Sequence, residues 1–245
     1  MAKLAAILLA AGRSSRFKGD DKKPFATLDG RAVWLRSAEL FCTRKDIVQT
    51  LLVISRDDEE VFRRRYQANL AFMNIDLEFG GAERSDSVAA ALARLHPDAE
   101  LVAIHDTARP CVTSEAIDEV TRVAAQHGAA ILATPVADTL KKTDRQQKVV
   151  ETPSRTGLWL AQTPQVFRKD WLLEAYARRG SKGAAATDDA QLIEALGQPV
   201  HVVPGASTNI KITTHQDLLL AEAILKSRPK PKSQSYHPFA EEGRW

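Results

Sequence analysis

The sequence predicts an α/β sandwich built on a mainly parallel sheet, and three observations lead to that prediction. Short apolar runs alternate with longer segments of helical period, as in a chain of βα units. The first run, residues 4–9, is apolar throughout, which is typical of a strand covered on both faces. The chain has 245 residues, 44% of them hydrophobic, which is enough for a sizeable core.

The elements of the first 135 residues follow from this alternation. Each expected strand is a short apolar run, and each expected helix carries apolar residues at helical spacing. The expected strands are 4–9, 50–55, 75–79, 101–105 and 129–135. The expected helices are 32–42, 57–69, 85–95 and 114–127.

The alternation stops after Pro135. Residues 138–160 are polar, rich in Lys and Thr, and only weakly periodic, which indicates a functional arm or a mobile loop. Within them, 148–152 has the pattern of one strand of a hairpin. The segment therefore separates two regular parts of the chain.

Regular patterns return in the last third of the chain. Helices are expected at 169–179 and 188–196, and strands at 200–204 and 209–213. Thr214 and Asp217 have the spacing of a capping box, which opens a last helix to about Lys226. We expect one domain over 1–226, with its arm at 138–160. Residues 227–245 open with a run of Pro and Lys and predict a flexible tail.

Composition excludes several classes of protein. The net charge of +3 is too close to balance for a protein that coats nucleic acid, and no apolar run reaches the roughly 18 residues that span a bilayer. Cys42 and Cys111 are too few for a disulfide scaffold, and they are expected to be reduced thiols in the cytoplasm. Lys3 and the apolar residues after it also resemble the start of a signal peptide, but a buried strand running into a glycine turn explains more of the sequence.

The first candidate site follows the first strand. Ala10, Ala11 and Gly12 are small, so their backbone N–H groups can approach a polyphosphate closely. Arg16 and Lys23 then place cations beside it. The loop lacks the Gly-Lys-Ser/Thr of a P-loop and the second and third glycines of the dinucleotide fingerprint.

The second candidate site lies at the end of the 101–105 strand, where ligands of open α/β sheets bind. Asp106 could hold a magnesium ion or a ribose, and Arg109 could bind a phosphate through its guanidinium. As a pair, they could equally be a structural ion pair. His105 is expected to be a core or turn histidine rather than a base.

Further hydroxyls and cations are dispersed along the chain at the predicted ends of elements. They are Thr139, Arg155, Thr163 and Lys211. The sequence shows no zinc-spaced His/Cys cluster and no serine nucleophile elbow. Cations and backbone amides without an activated nucleophile suit a phosphate that attacks another phosphate. A phosphate monoester is already an anion at neutral pH and needs no general base.

Taken in order, these blocks resemble the 2-C-methyl-D-erythritol 4-phosphate cytidylyltransferase family, over about residues 4–226. The blocks that carry the resemblance are 10–12 with Arg16 and Lys23, 80–87, 105–110, 138–139, Arg155 with 157–159, 163–165, 187–188 and 209–211. The resemblance implies a Rossmann-like three-layer sandwich of the nucleotidyltransferase type with a protruding dimerisation arm. It also implies a reaction of CTP with a polyol phosphate that releases pyrophosphate, with Mg²⁺ bound to the nucleotide.

The resemblance also implies a role for each residue. Arg16 and Lys23 would stabilise the transition state, and Arg155 and Lys211 would position the attacking phosphate. The CTP-binding residues would be Ala10, Ala11, Gly12, Gly81, Arg84, Ser87 and Asp106, with Asp106 near the metal. The substrate pocket would be completed by Arg109, Thr139, Thr163 and Thr187. In such a homodimer, Thr139 and Arg155 would act across the interface.

Departures from the family pattern leave the cations in place. They are Ser14 for a frequent glycine, Phe17 for methionine, Lys23 and Pro24 for Lys-Gln, and Thr107 for alanine. Lys22 is a second candidate for the lysine that reaches the phosphate. The alternatives are a ribitol 5-phosphate cytidylyltransferase, a molybdopterin nucleotidyltransferase, a non-catalytic nucleotide-binding module and an NAD-binding oxidoreductase.

Overall fold

The computed structural model describes residues 2–12, 17, 22–179 and 186–229, and it contains one seven-stranded sheet between two layers of helices. The strands of the main sheet are β1 (Leu4–Leu9), β4 (Ile47–Ile54), β5 (Ile75–Phe79), β6 (Leu101–Asp106), β7 (Ala129–Pro135), β10 (Trp159–Arg168) and β11 (His201–Pro204). Two short hairpins are formed by β2 (Thr27–Leu28) with β3 (Arg31–Ala32), and by β8 (Lys142–Thr143) with β9 (Val149–Glu151). The spatial order in the main sheet is β11-β7-β10-β6-β1-β4-β5.

Seven helices connect or follow these strands in the described part of the chain. They are α1 (Val33–Cys42), α2 (Glu59–Phe72), α3 (Arg84–Leu92), α4 (Ser114–His127), α5 (Lys169–Ala177), α6 (Ala190–Ala195) and α7 (His215–Ser227). Single 3-10 turns at Lys23–Phe25 and Arg56–Asp58 precede β2 and α2. No helix within the described ranges combines the length and the hydropathy that a bilayer span requires.

Alternating residues of the strands pack on opposite faces of the sheet. In β1, Leu8 faces one core together with α1, α2 and α4, whereas Ile7 faces the other with α3, α5 and α6. Both side chains are fully buried. This alternation places helices on both sides of the sheet and confirms the predicted three-layer α/β fold.

Most elements lie where the apolar pattern predicts them. The bounds of β1, β5, α4 and β7 match the predictions to the residue, and the capping box of α7 forms between Thr214 and Asp217. The predicted strand at 209–213 is wrong. That segment is irregular, because Ile212 N bonds to Ala108 O and the Asn209 side chain bonds to Gln162 and Thr163, and no strand of the described residues pairs with it.

The strand β10 is absent from the sequence prediction. It lies between β6 and β7 and runs antiparallel to both, while every other pairing in the main sheet is parallel. Its pairing with β7 shifts register between Ala161 and Gln165, around Pro164. Pro164 and the polar residues around it are unusual in a central strand, so the sequence does not indicate a strand here.

The predicted arm protrudes from the sheet. The β8–β9 hairpin contains the strand expected within 148–152, and its side chains are exposed. Val149, Val150, Trp159 and Leu160 expose between 43% and 58% of their surface. The predicted tail begins where α7 ends, and residues 230–245 of it lie outside the described residues.

Candidate active site

A cavity of about 360 Å³ opens beyond the carboxyl ends of β1 and β6. Nine of the residues predicted from the sequence line it, and they come from five separate blocks of the chain. They are Ala10, Ala11, Gly12, Lys23, Gly81, Arg84, Ser87, Asp106 and Lys211. The topology explains this convergence, because parallel strands end at the same edge of the sheet.

The small residues after β1 allow close packing against the start of α3. A Cβ atom on Gly80 would lie 2.6 Å from Ala11 Cβ and 2.6 Å from Ser87 Oγ. Gly80 N also donates to Ile54 O at 2.9 Å, which fixes the loop at the end of β4. Glycine at position 80 therefore permits the approach of two cavity walls.

The position of Lys23 depends on an aromatic cluster. Pro24 and Phe25 of the 3-10 turn are buried, and the Phe25 ring lies 5.2 Å from that of Phe62. Lys22 points elsewhere, with its Nζ 2.6 Å from Oδ1 of the buried Asp58. The structure thus places Lys23, rather than Lys22, on the wall of the cavity.

Asp106 is the electrostatic centre of the cavity. Its Oδ2 lies 2.6 Å from Lys211 Nζ, and its Oδ1 lies 3.5 Å from Arg84 Nε. Burial raises the pKa of this carboxyl, but Arg84, Lys211 and Arg109 outweigh burial and hold the pKa well below its ordinary value. Asp106 is therefore an ionised carboxylate within a cationic site.

Lys211 and Arg109 are held by the irregular segment after β11. Asn209 is buried, and its Nδ2 donates to Gln162 Oε1 at 3.1 Å and to Thr163 O at 3.0 Å. Arg109 Nη1 donates to Asn209 O at 2.7 Å. The sequence indicated Asn209 only as part of a block. Its anchoring role depends on contacts that the sequence does not show.

Arg109 has unused hydrogen-bonding capacity in this arrangement. Its buried Nε–H has no hydrogen-bond partner among the residues that the structure describes. Burial lowers the pKa of Arg109, against the opposing effect of Asp106. The unpaired donor is buried and Arg109 does not line the cavity, so the guanidinium supports the wall from behind.

His105 is a core histidine, as the sequence predicts. It is fully buried, its ring packs against Phe41 at 5.2 Å, and its Nδ1 lies 3.0 Å from Thr163 Oγ1. Burial lowers the pKa of His105 to about 4, so the imidazole is neutral at pH 7. Thr163 Oγ1 also accepts a hydrogen bond from Asp106 N at 3.1 Å, so both residues support the cavity from behind.

The sequence predicts no site role for two further residues of the cavity. Thr107 and Ala108 lie on the wall, and Thr107 Oγ1 donates to Leu9 O at 2.8 Å. This bond joins the ends of β1 and β6. Their position directly after a strand that ends at the site is the signal that could have identified them.

The five other predicted residues that the structure describes do not line the cavity of this chain. Thr139 and Arg155 lie exposed on the arm, and Thr187 lies exposed with its Oγ1 accepting a hydrogen bond from Gln191 Nε2 at 3.0 Å. Thr163 and Arg109 lie behind the wall rather than on it. Arg16 lies outside the described residues.

Comparisons with known proteins identify the family of the chain. A family described as 2-C-methyl-D-erythritol 4-phosphate cytidylyltransferase matches residues 4–227. A curated protein of that name from Pelotomaculum thermopropionicum is 43% identical, with 93% of this chain and 96% of that protein covered. A second, from Rhodopirellula baltica, is also 43% identical, over 91% of this chain and 95% of its own.

Solved structures show the same relationship. The 2-C-methyl-D-erythritol 4-phosphate cytidylyltransferase of Thermus thermophilus has a TM-score of 0.76 and 33% identity, covering 92% of this chain and 100% of its own. The 4-diphosphocytidyl-2C-methyl-D-erythritol synthase of Anaerococcus prevotii has a TM-score of 0.77 and 33% identity, covering 92% and 96%. The chain therefore belongs to the 2-C-methyl-D-erythritol 4-phosphate cytidylyltransferase family of nucleotidyltransferases.

Proposed function

We propose that this chain transfers the cytidylyl group of CTP to 2-C-methyl-D-erythritol 4-phosphate and releases pyrophosphate, as a step of isoprenoid biosynthesis by the non-mevalonate route. The observation that carries this proposal is the meeting of Lys23, Lys211 and Asp106 in one cavity, although they come from distant parts of the chain. Membership of the family supports the same reaction.

The reaction requires no general base from the protein. The attacking group is a phosphate monoester, whose second pKa is about 6, so it is an anion at neutral pH. His105 is sealed in the core and neutral, and it is unsuited to accept a proton in the cavity. Catalysis then consists of bringing two anions together and stabilising the charge on the five-coordinate phosphorus.

Fixed positive charges would counter the repulsion between the nucleotide phosphates and the attacking phosphate. We assign the nucleotide phosphates to the backbone amides of residues 10–12, and the charge at the α-phosphate to Lys23 together with Arg16. Lys211, which lies on the cavity wall, would hold the attacking phosphate together with Arg155 from the arm of a partner subunit, and Arg109 would support Lys211 from behind the wall through its bond to Asn209 O. Gly81, Arg84 and Ser87, which lie together on one wall, would hold the cytidine.

The donor set of the cavity fits a magnesium ion carried by the nucleotide. Among the described residues, the carboxylates that line the cavity are those of Glu83 and Asp106. The Glu83 carboxylate caps α3, so Asp106 would be the residue that faces the ion. Within the same ranges, no group of three or more His, Cys, Asp or Glu could form a metal centre. Magnesium is commonly bound by one or two carboxylates and substrate phosphates. When bound, the ion would neutralise part of the phosphate charge.

We further propose that the working form is a homodimer. The exposed apolar side chains of the arm, including Val150 and Leu160, would be covered by a second copy. Thr139 and Arg155 lie on the same arm, away from their own cavity. They would complete the site of the partner. Cys42 and Cys111 are free thiols, which supports our proposal that the enzyme works in the reducing cytoplasm.

An acceptor assay tests the proposed function. Purified protein is incubated with CTP, Mg²⁺ and each of two acceptors, 2-C-methyl-D-erythritol 4-phosphate and ribitol 5-phosphate, and pyrophosphate release is followed. We expect turnover with the methylerythritol phosphate. Turnover of ribitol 5-phosphate alone would replace our assignment with the ribitol enzyme, and CTP binding without turnover of either would indicate a binding module.

A further inference from the structure

Arg84 on the cavity wall is held between two carboxylates. Its Nη2 lies 2.7 Å from Asp189 Oδ2, and its Nε lies 3.5 Å from Asp106 Oδ1. The Arg84 side chain is 30% exposed, whereas that of Asp189 is 1% exposed. The guanidinium therefore bridges the cavity and the protein interior.

Asp189 is a buried carboxylate, and each of its two oxygens has one polar neighbour. Tyr176 OH donates to its Oδ1 at 2.6 Å. Burial, reinforced by the charge of Asp189, raises the pKa of Tyr176, so the phenol stays protonated and remains a donor. In the described part of the chain, the cation paired with Asp189 is Arg84. An ionised carboxylate in the interior is costly unless it is paired and hydrogen-bonded.

One strand holds both carboxylates that flank Arg84. On β10, Gln165 Oε1 accepts hydrogen bonds from Asp189 N at 3.2 Å and Ala190 N at 3.3 Å. Two residues earlier, Thr163 Oγ1 accepts one from Asp106 N. The Thr-Pro-Gln block thus fixes the backbone of both partners of Arg84 without lining the cavity.

We infer that Asp189 and Tyr176 are positioning residues that hold the Arg84 guanidinium in the orientation required to bind the nucleotide. The inference rests on the proposed function, in which Arg84 contacts CTP. A guanidinium binds selectively through a rigid, planar array of donors, so its orientation decides its affinity for a ligand. Arg84 shares its wall with Gly81 and Ser87, so the loss of Asp189 should weaken the binding of CTP and leave that of the acceptor unchanged.

The first test is the Asp189→Asn variant, because asparagine keeps the volume and an acceptor for Tyr176 but removes the charge. Binding of CTP with Mg²⁺ is measured by calorimetry without acceptor, and the KM values of both substrates are measured in the acceptor assay. We expect the Kd and KM of CTP to rise about tenfold or more, because the substitution removes the negative charge that pairs with Arg84. The KM of the methylerythritol phosphate should stay within about twofold, because no acceptor contact is removed.

Asp188→Asn is the matched control, since it makes the same chemical change one residue away. Asp188 accepts a hydrogen bond from Gln165 Nε2 at 2.9 Å, whereas the carboxylates that pair with Arg84 are those of Asp189 and Asp106. We expect its Kd for CTP to remain close to that of the unmodified protein. An equal rise in both variants would mean that the segment is merely structural, and it would overturn the inference.

A double-mutant cycle with Arg84→Ala tests whether Asp189 acts through Arg84. In the Arg84→Ala background, Asp189→Asn should cause no further loss of CTP affinity. An equal loss in both backgrounds, or unchanged affinity in a folded Asp189→Asn protein, would refute the positioning role. If Asp189→Asn does not fold, Tyr176→Phe replaces it, with an expected weakening of CTP binding of about threefold. Unchanged CTP binding in that variant would also refute it.

The two proposals fail separately. Binding of CTP is measured without acceptor, so a protein that binds CTP but transfers nothing would refute the proposed reaction and still allow the test of Asp189.

Discussion

Lys211 Nζ lies 2.6 Å from Asp106 Oδ2, although 105 residues separate the two in sequence. The carboxylate is ionised, because the surrounding cations hold its pKa below the ordinary value. The ammonium is thus fixed at the cavity wall before any substrate arrives. Preorganised charge of this kind stabilises a transition state without reorganisation during the reaction.

Replacement of Lys211 by alanine should reduce kcat by about a hundredfold or more, the scale for loss of one preorganised charge. The measurement is pyrophosphate release at saturating CTP and methylerythritol phosphate. Lys226→Ala is the control, because Lys226 is an exposed lysine paired with Glu222 on α7. Near-normal turnover of Lys211→Ala would remove this lysine from the mechanism.

The adjacent lysines Lys22 and Lys23 should respond differently to substitution. Lys23→Ala should lower kcat by about a hundredfold, because Lys23 lies on the cavity wall. Lys22→Ala should leave kcat within about threefold and lower the free energy of unfolding by about 1 kcal/mol, because it removes the lysine that pairs with the buried carboxylate of Asp58. Steady-state kinetics and urea unfolding of both variants check this, and a reversed order would assign the phosphate contact to Lys22.

If the arm of one subunit completes the site of the other, mixing two inactive variants should restore activity in the dimers that contain one copy of each. In a mixed dimer of Arg155→Ala and Lys211→Ala, one of the two sites has both an intact cavity and an intact arm. Random exchange of subunits at equal amounts should recover activity in about one quarter of the sites. Activity is measured after mixing and re-equilibration. Absence of recovery in confirmed mixed dimers would contradict a shared site.

His105 should make the stability of the protein depend on pH. Its pKa is lowered by burial from 6.5 to about 4, so between these values the unfolded chain binds the proton that the folded chain excludes. Stability contributed by neutral His105 is complete above pH 6.5 and is lost as the pH falls towards 4, by up to about 1.4 kcal/mol per pH unit. The pKa of Asp106 is lowered too, and its contribution is lost at more acidic pH, below its unfolded pKa of about 4.

The comparison with His105→Asn isolates this effect, because asparagine keeps a polar atom near Thr163 Oγ1 but does not titrate. Urea unfolding at pH 7, 6 and 5 should give a shallower decline for the variant, whatever its stability at pH 7. Equal slopes for the two proteins would show that His105 is not the titrating group.

The sequence predicts correctly those elements that have a continuous or periodic pattern of apolar residues. The continuous apolar runs of β1 and β7 and the periodic face of α4 determine those elements locally. The convergence of Lys23 and Lys211 was predicted through the family resemblance, and the rule that parallel strands end at one edge explains it.

The missed features depend on contacts between distant residues. Strand β10 carries Gln162, Thr163 and Gln165, which are buried because they bond to other segments rather than because they are apolar. Asn209 likewise looked like part of a strand, but it anchors the segment that carries Lys211. Buried polar residues with long-range partners leave no periodic pattern, so a single sequence does not reveal them.

The position of β10 also determines when the enzyme can be assembled. It separates β6 from β7, so before residues 159–168 emerge a growing chain presents a partial sheet of β5, β4, β1 and β6 with an unpaired β6 edge, and a β7 strand without a partner. Unpaired edges bind other strands readily, and the nascent protein is most exposed to aggregation during this interval. Synthesis that stops after residue 135 would yield no partial enzyme, because the backbone support behind Asp106 comes from the strand not yet made.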